Sequence, residues 1–183
     1  LLRPASKSRH AAARALAGNQ AVDKNGRTGI APRHGCALTF MAKYDQREGN
    51  SCHIHISLWD DRGSLSPGEG GHGRSKIFDH FIAGQLAATR ELAYFFAPNV
   101  NSYKRYAWGS FAPTTLVWGV DNRTCGFRVV GHGAGLRLES RISGADVNPY
   151  IAFAAMIAAG LHGIDNEPEL EPAYPGTAHH AVA

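Results

Sequence analysis

The clearest periodicities in the chain are two short alternating runs. One is His53-Ile54-His55-Ile56-Ser57-Leu58 and the other is Arg137-Leu138-Glu139-Ser140-Arg141. A β-strand sends successive side chains to opposite faces, so His53, His55 and Ser57 share one face and the isoleucines the other. Arg137, Glu139 and Arg141 line up in the same way. If both strands lie in one sheet, a face with two imidazoles, a carboxylate and two guanidiniums makes a poor core. It makes a good site for a divalent cation and a polyphosphate.

The rest of the pattern supplies the frame. Residues 1–18 are Ala/Arg-rich with weak periodicity, and Gly26, Gly29 and Pro32 interrupt any helix over 19–33. Cys36 to Ala42 reads as a buried strand. Residues 60–75 are glycine-rich and read as a mobile loop. Apolar positions 77, 81, 82, 86, 92 and 95 recur near helical spacing, so the pattern predicts a helix from Lys76 to Phe96 ended by Pro98. Thr115 to Val120 and Gly126 to Val130 are β-branched runs around Asp121-Asn122-Arg123, which reads as a hairpin. Asn148 is a good N-cap and Pro149 suits the first turn of a buried apolar helix through Ile164. The stretch after Asp165 is acidic and Pro-rich. It has no regular signature.

Composition narrows the functional classes. A chain of 183 residues with 44% hydrophobic and 19% charged positions suits one globular domain. The net charge of +4 is not gathered in a run. Arg105, Arg123, Arg128, Arg137 and Arg141 sit inside apolar-patterned stretches, which favours specific anion binding over a nucleic-acid patch. Cys36, Cys52 and Cys125 are odd in number and widely spaced, so no disulfide framework is expected and a reducing cytoplasm fits. No signal peptide is visible, and the apolar stretch from Tyr150 to Leu161 is too short to span a bilayer. The start at Leu1 and the featureless end read as those of a fragment or a degraded gene product.

Each chemical motif is weak alone. Alternating histidines also occur on ordinary strand surfaces, a glutamate between arginines is more often an ion pair, and Asn122-Arg123 in a turn is usually solvated. Together they carry more. A charged strand face is costly if buried unpaired. Five arginines imply bound anions, most economically phosphates. A His with a Glu implies a cation that bridges them.

In this order, Thr39-Phe-Met-Ala-Lys43, Gly49-Asn-Ser-Cys-His-Ile-His-Ile-Ser57, Asn101-Ser-Tyr-Lys-Arg105, Asn122-Arg123 with Arg128, Arg137-Leu-Glu-Ser-Arg141 and Asn148 through Ile164 resemble glutamine synthetase. The resemblance covers roughly residues 34–164, with a fainter match over 19–33. It implies the C-terminal half of an α+β catalytic domain, with a curved antiparallel sheet and helices on its outer face. On this view 1–33 is a divergent, partly helical remnant and 165–183 an irregular tail. It also implies an ATP-dependent ligase using Mg²⁺ or Mn²⁺, in which glutamate's γ-carboxylate is phosphorylated and an amine displaces phosphate. Family members are homo-oligomeric. By the same resemblance, His53 and Glu139 match metal ligands, and His55, Ser57 and Arg137 match nucleotide contacts. Gly49, Arg105 and Arg141 match glutamate-holding positions, and Arg123 and Arg128 match arginines around the transferring phosphate. Positioning and charge neutralisation are what phosphoryl transfer needs.

Three departures qualify the resemblance. Ammonia-using members carry a glutamate in a Pro-Gly-Tyr-Glu-Ala-Pro segment, whereas this chain has Trp108-Gly-Ser-Phe-Ala-Pro113 with Phe111 at that position. The amine acceptor is therefore expected to be larger than ammonia, as in γ-glutamylpolyamine synthetase-like members. Glu48-Gly49-Asn50-Ser51-Cys52, in place of the commoner Asn-Gly-Ser-Gly-Met, points the same way. The family's other metal carboxylates lie upstream, yet residues 1–33 contain no glutamate. A truncated, inactive remnant that keeps only nucleotide or anion binding is thus the alternative expectation. A stand-alone metallohydrolase using His53 and His55 lacks a third ligand at suitable spacing.

Overall fold

The structure, a computed structural model, describes residues 11–180. Helix α1 (Ala13–Ile30) runs straight through Gly26 and Gly29, where the sequence predicts a break. Nothing crowds those two glycines, and an exposed Gly weakens a helix by only about 1 kcal/mol. Pro32 falls instead in the first turn of the short 3₁₀ segment Ala31–His34, where its missing N–H is not needed. Cys36 to Ala42 forms no strand beyond a bridge residue at 38.

Among the described residues six strands follow: β1 (Ile54–Ile56), β2 (Trp59–Asp60), β3 (Gly63–Ser64), β4 (Trp118–Val120), β5 (Phe127–Val130) and β6 (Arg137–Ser140). The main sheet has the order β1-β6-β5-β4. β1 and β6 are antiparallel neighbours with His55 opposite Glu139, and β5 and β6 are antiparallel with Arg128 opposite Glu139. The two alternating runs of the sequence therefore meet directly. Against the expected hairpin, β4 and β5 are parallel, with Gly119 opposite Arg128. The sheet is mixed rather than wholly antiparallel. The physical reason lies in residues 121–126. Asn122 Oδ1 accepts from Thr124 N and Oγ1 at 3.0 and 2.6 Å, so the loop curls back over β4 instead of reversing the strand. A Cβ on Gly119 would stand 2.9 Å from Asn122 Cβ, so only glycine admits this return.

The glycine-rich loop expected to be mobile is built. β2 and β3 form a small ribbon, Pro67 bridges to Arg74, and the Arg74 guanidinium lies 4.5 Å over the Trp118 ring. Helix α2 (Lys76–Ala88) starts at the Ser75 cap but stops well short of Phe96. Thr89 Oγ1 bonds the Gln85 carbonyl at 2.5 Å, a local bond that competes with helix continuation. The chain then makes single turns α3 (Ala93–Phe96) and α4 (Val100–Tyr103). Helix α5 (Pro149–Asn166) begins as expected, with Asn148 Oδ1 accepting from Tyr150 N at 3.0 Å.

Phe78, Phe81, Ile82 and Met156 from α2 and α5 pack with Ile54, Phe127, Val129 and Leu138 from the sheet in one core. The helices thus cover one sheet face and leave the other to the polar residues. The tail beyond α5 has little regular structure but is pinned. Trp118 Nε1 donates to Glu171 O at 2.7 Å, Tyr174 N to Trp118 O at 2.9 Å, and Asn122 Nδ2 to Gly176 O at 2.7 Å.

Candidate active site

The uncovered sheet face brings together most of the residues singled out by sequence. Glu139 lies at its centre and is 3% exposed. Its Oε1 accepts from Arg141 Nη1 at 2.9 Å and stands 3.1 Å from His53 Nδ1, while Oε2 accepts from Arg128 Nη1 at 2.9 Å. Burial pushes this carboxyl up. The hydrogen bonds from His53 and Arg128 and the Arg141 charge outweigh burial and hold the carboxyl at about 2. His55 is the cross-strand neighbour of Glu139, and its Nε2 is 3.9 Å from Oε1. On its other side His55 Nδ1 accepts from Arg137 Nε at 3.2 Å. That bond requires a neutral ring, and burial lowers the His55 pKa accordingly.

A second group adjoins the first. Arg105 is 4% exposed and donates through Nη2 to the carbonyl of Ile142, next in sequence to Arg141. Tyr106 Oη reaches the same carbonyl at 2.7 Å. A Cβ on Gly49 would fall 2.6 Å from Arg105 Cγ, so a glycine is what lets that segment lie on the arginine. The Nε atoms of Arg105 and Arg141 are buried without a hydrogen-bond partner. Burial lowers the Arg105 pKa without neutralising a guanidinium. Two buried cations with an unused donor each suit a carboxylate ligand.

Two predicted residues stand apart. Ser57 Oγ accepts from Trp59 Nε1 at 2.9 Å, beyond the end of β1. Arg123 lies on the loop after β4 and lines a cleft of about 650 Å³ with His72, Asp121, Asn122 and Tyr174. Sequence reasoning assigns no role to three supporting residues. Asn101 accepts from Lys43 N at 2.9 Å and donates to Lys43 O at 2.7 Å, tying the Thr39–Lys43 segment to the Asn101–Arg105 segment. Asp146 accepts from Ser102 Oγ at 2.6 Å. Asp121 pairs with Arg128 and was passed over as a turn residue. Its non-glycine residue type at φ 49° is a backbone fact that sequence does not display.

The donor set fits a divalent cation only in part. His53 and Glu139 are adjacent, but both Glu139 oxygens already face cationic or imidazole donors. Among the described residues no group of three or more His, Cys, Asp or Glu side chains comes together to hold a metal. A hard cation takes about six ligands, so this chain supplies a fraction of a site. No helix among the described residues is long and apolar enough to cross a membrane.

The sequence model of the glutamine synthetase catalytic domain matches residues 7–182. The chain belongs to the glutamine synthetase family. It is 56% identical over 161 residues to γ-glutamylethanolamide synthetase GlnA4 of Streptomyces coelicolor, a match covering 88% of this chain and 35% of that protein. It is 43% identical over 148 residues to the glutamate–isopropylamine ligase of a Pseudomonas species, a match covering 79% of this chain and 32% of that protein. With γ-glutamylputrescine synthetase PuuA of Escherichia coli the identity is 41%, over 78% of this chain and 30% of the relative. Among solved structures, ligand-free GmaS superposes with a TM-score of 0.85 at 34% identity, covering 94% of this chain and 41% of that one. The chain thus spans about a third of the length of these three curated relatives.

Proposed function

We propose that this chain forms the glutamate and phosphate half of the active site of an ATP-dependent ligase that joins glutamate's γ-carboxylate to an amine larger than ammonia. The γ-carboxylate oxygen attacks the terminal phosphorus of ATP, releasing ADP and leaving an acyl phosphate. The free-base amine nitrogen then attacks the carbonyl carbon, the bond to phosphate breaks with its electrons leaving on phosphate, and the surplus proton on nitrogen passes to water. Arg105 and Arg141 hold the glutamate carboxylate through their unused donors, with Gly49 packed on Arg105. Arg137 and neutral His55 receive the nucleotide phosphates, with Ser57 at the strand end. Arg128 offsets charge on the transferring phosphoryl group beside Glu139, and Arg123 adds positive charge from the adjoining cleft loop. A divalent cation supplies further neutralisation of phosphate when bound, and His53 and Glu139 are the donors offered here. Cytoplasmic residence and homo-oligomeric assembly of the complete polypeptide belong to the same proposal.

The observation that carries the acceptor assignment is the contact between Arg141 and Phe111. Arg141 Nη2 lies 3.4 Å from the Phe111 carbonyl, so the Phe111 segment borders the glutamate-holding arginine. Phe111 is 76% exposed. An exposed phenyl offers apolar and cation–π surface to an alkylammonium, and no carboxylate for ammonium. The names of the three relatives, ligases for ethanolamine, isopropylamine and putrescine, support this reading.

The test uses the complete polypeptide with ATP, glutamate and each amine at equal concentration, with γ-glutamyl products measured by mass spectrometry. We expect alkylamine products to exceed glutamine by about tenfold or more, the scale of discrimination an apolar contact provides. Phe111→Glu should move the preference toward ammonia. Glutamine formed as readily as any γ-glutamylamide would overturn the assignment.

A further inference from the structure

Arg128 is held at both ends of its guanidinium. Nη1 donates to buried Glu139, while Nε donates to Asp121 Oδ1 at 3.0 Å and Nη2 closes on the same oxygen. Asp121 is unusual on two counts. Its side chain is 75% exposed, and its backbone lies in the left-handed region at φ 49°. An exposed ion pair contributes little to stability, so stability does not explain a non-glycine residue in that conformation. The surrounding loop imposes it. Asp121 N donates to Val129 O at 2.9 Å, Asn122 is bonded to Gly176 of the tail at 2.7 Å, and Thr124 Oγ1 accepts from Ala178 N at 2.8 Å. The tail is therefore a strap across the loop that presents Asp121.

We propose that Asp121 is a positioning residue for Arg128. It grips the Nε–Nη2 edge, fixes the plane of the guanidinium, and so keeps Nη1 on Glu139 and the cationic face toward the phosphoryl group. A fork gripped along one edge loses its freedom to rotate, which a single contact at Nη1 does not achieve. The functional half of this inference rests on the ligase reading given above.

The experiment compares Asp121→Asn, Asp121→Glu, Arg128→Lys and the double variant Asp121→Asn/Arg128→Lys in the complete polypeptide. Asparagine tolerates the left-handed region, so the first variant removes the charge and keeps the loop. For Asp121→Asn we expect kcat to fall about tenfold with the glutamate KM within about twofold, because the lost contact orients the transfer step and not the glutamate pocket. Asp121→Glu should recover part of the loss. In the Arg128→Lys background the Asp121 substitution should cost nothing further. A second measurement needs no turnover: the rate at which phenylglyoxal modifies Arg128, read by peptide mass spectrometry with Arg123 as reference. In Asp121→Asn the Arg128 rate should rise severalfold while the Arg123 rate stays constant. An unchanged Arg128 rate, or a kcat loss that persists in the Arg128→Lys background, overturns the proposal. A wild-type protein that makes no γ-glutamyl product overturns the ligase reading instead, and the modification rate then decides the positioning role alone.

Discussion

On the covered side of the sheet, α2 and α5 approach until glycine is the only residue that fits. A Cβ on Gly84 would lie 2.3 Å from the Ala159 carbonyl, and one on Gly163 would lie 2.2 Å from that of His80. On the uncovered side Glu139 is just as buried, but what surrounds it is Arg128, Arg141 and His53. The first region is fixed by steric fit and the second by charge compensation. The difference shows in how each should fail. Steric fit is insensitive to pH and breaks when an atom is added. Charge compensation breaks when an atom is removed or a proton is gained.

The largest effect is expected on the charged side. Glu139→Ala leaves the buried Arg141 guanidinium without its counter-charge and half-buried Arg128 with only the exposed Asp121, and breaking a buried pair by removing one partner costs about 3–5 kcal/mol. Chemical denaturation at neutral pH measures it. A loss below that of an ordinary surface change would show that solvent, not Glu139, balances Arg128 and Arg141.

The proton offers the same test without a mutation. The Glu139 carboxyl is depressed from 4.5 to about 2 on folding. A depressed carboxyl contributes stability that is full above its unfolded value and disappears as pH falls through the folded one. The window is therefore pH 4.5 down to about 2, and the contribution at stake is about 3 kcal/mol. Glu139→Gln should flatten the stability profile across that window. Substitutions between α2 and α5 should leave its slope unaltered.

The steric side comes next in size. Gly84→Ala drives a methyl into helix backbone that cannot swing away, and overpacking of this kind costs about 1–3 kcal/mol. The same substitution at Gly26 or Gly29, where nothing lies within 4 Å, should stabilise α1 slightly, by up to about 1 kcal/mol. Opposite signs for one chemical change would isolate the close approach as the cause.

How far sequence alone revealed these two regions follows from their different physics. Strand alternation has a period of two, so His53-x-His55 and Arg137-x-Glu139-x-Arg141 announced a polar face, and His55 duly faces Glu139 across the ladder. The cap and first turn of α5 were legible because Asn148 and Pro149 act locally. The parallel return from β4 to β5 was not, because Asp121-Asn122 signals a turn without stating which way the chain leaves it. The end of α2 escaped because apolar spacing continues past Thr89, while a side-chain bond to Gln85 ends the helix. The tail has no period to read. Its order comes from bonds to Trp118, Asn122 and Thr124, far away in sequence. Arg123 shared a motif with Arg128, but the curl of its loop puts it on the cleft side instead of at Glu139.

The smallest predicted effect asks whether the two regions are independent. Asn148 caps α5 from an exposed position, with Oδ1 on Tyr150 N at 3.0 Å. Immediately before it, Lys24 Nζ of α1 donates to the carbonyls of Ala145 and Val147 at 2.6 and 3.1 Å. That same stretch carries Asp146, bonded to Ser102, and runs back to the Ile142 carbonyl that holds Arg105. The start of α5 is thus the hinge between the packed helices and Arg105. Asn148→Ala should cost about 1 kcal/mol, the ordinary value of an N-cap. If the regions respond separately, the glutamate KM of the complete polypeptide will be unchanged at temperatures well below unfolding. If KM rises while α5 stays folded, the cap also sets the path of residues 142–147. Steric fit on one face would then be coupled to charge placement on the other.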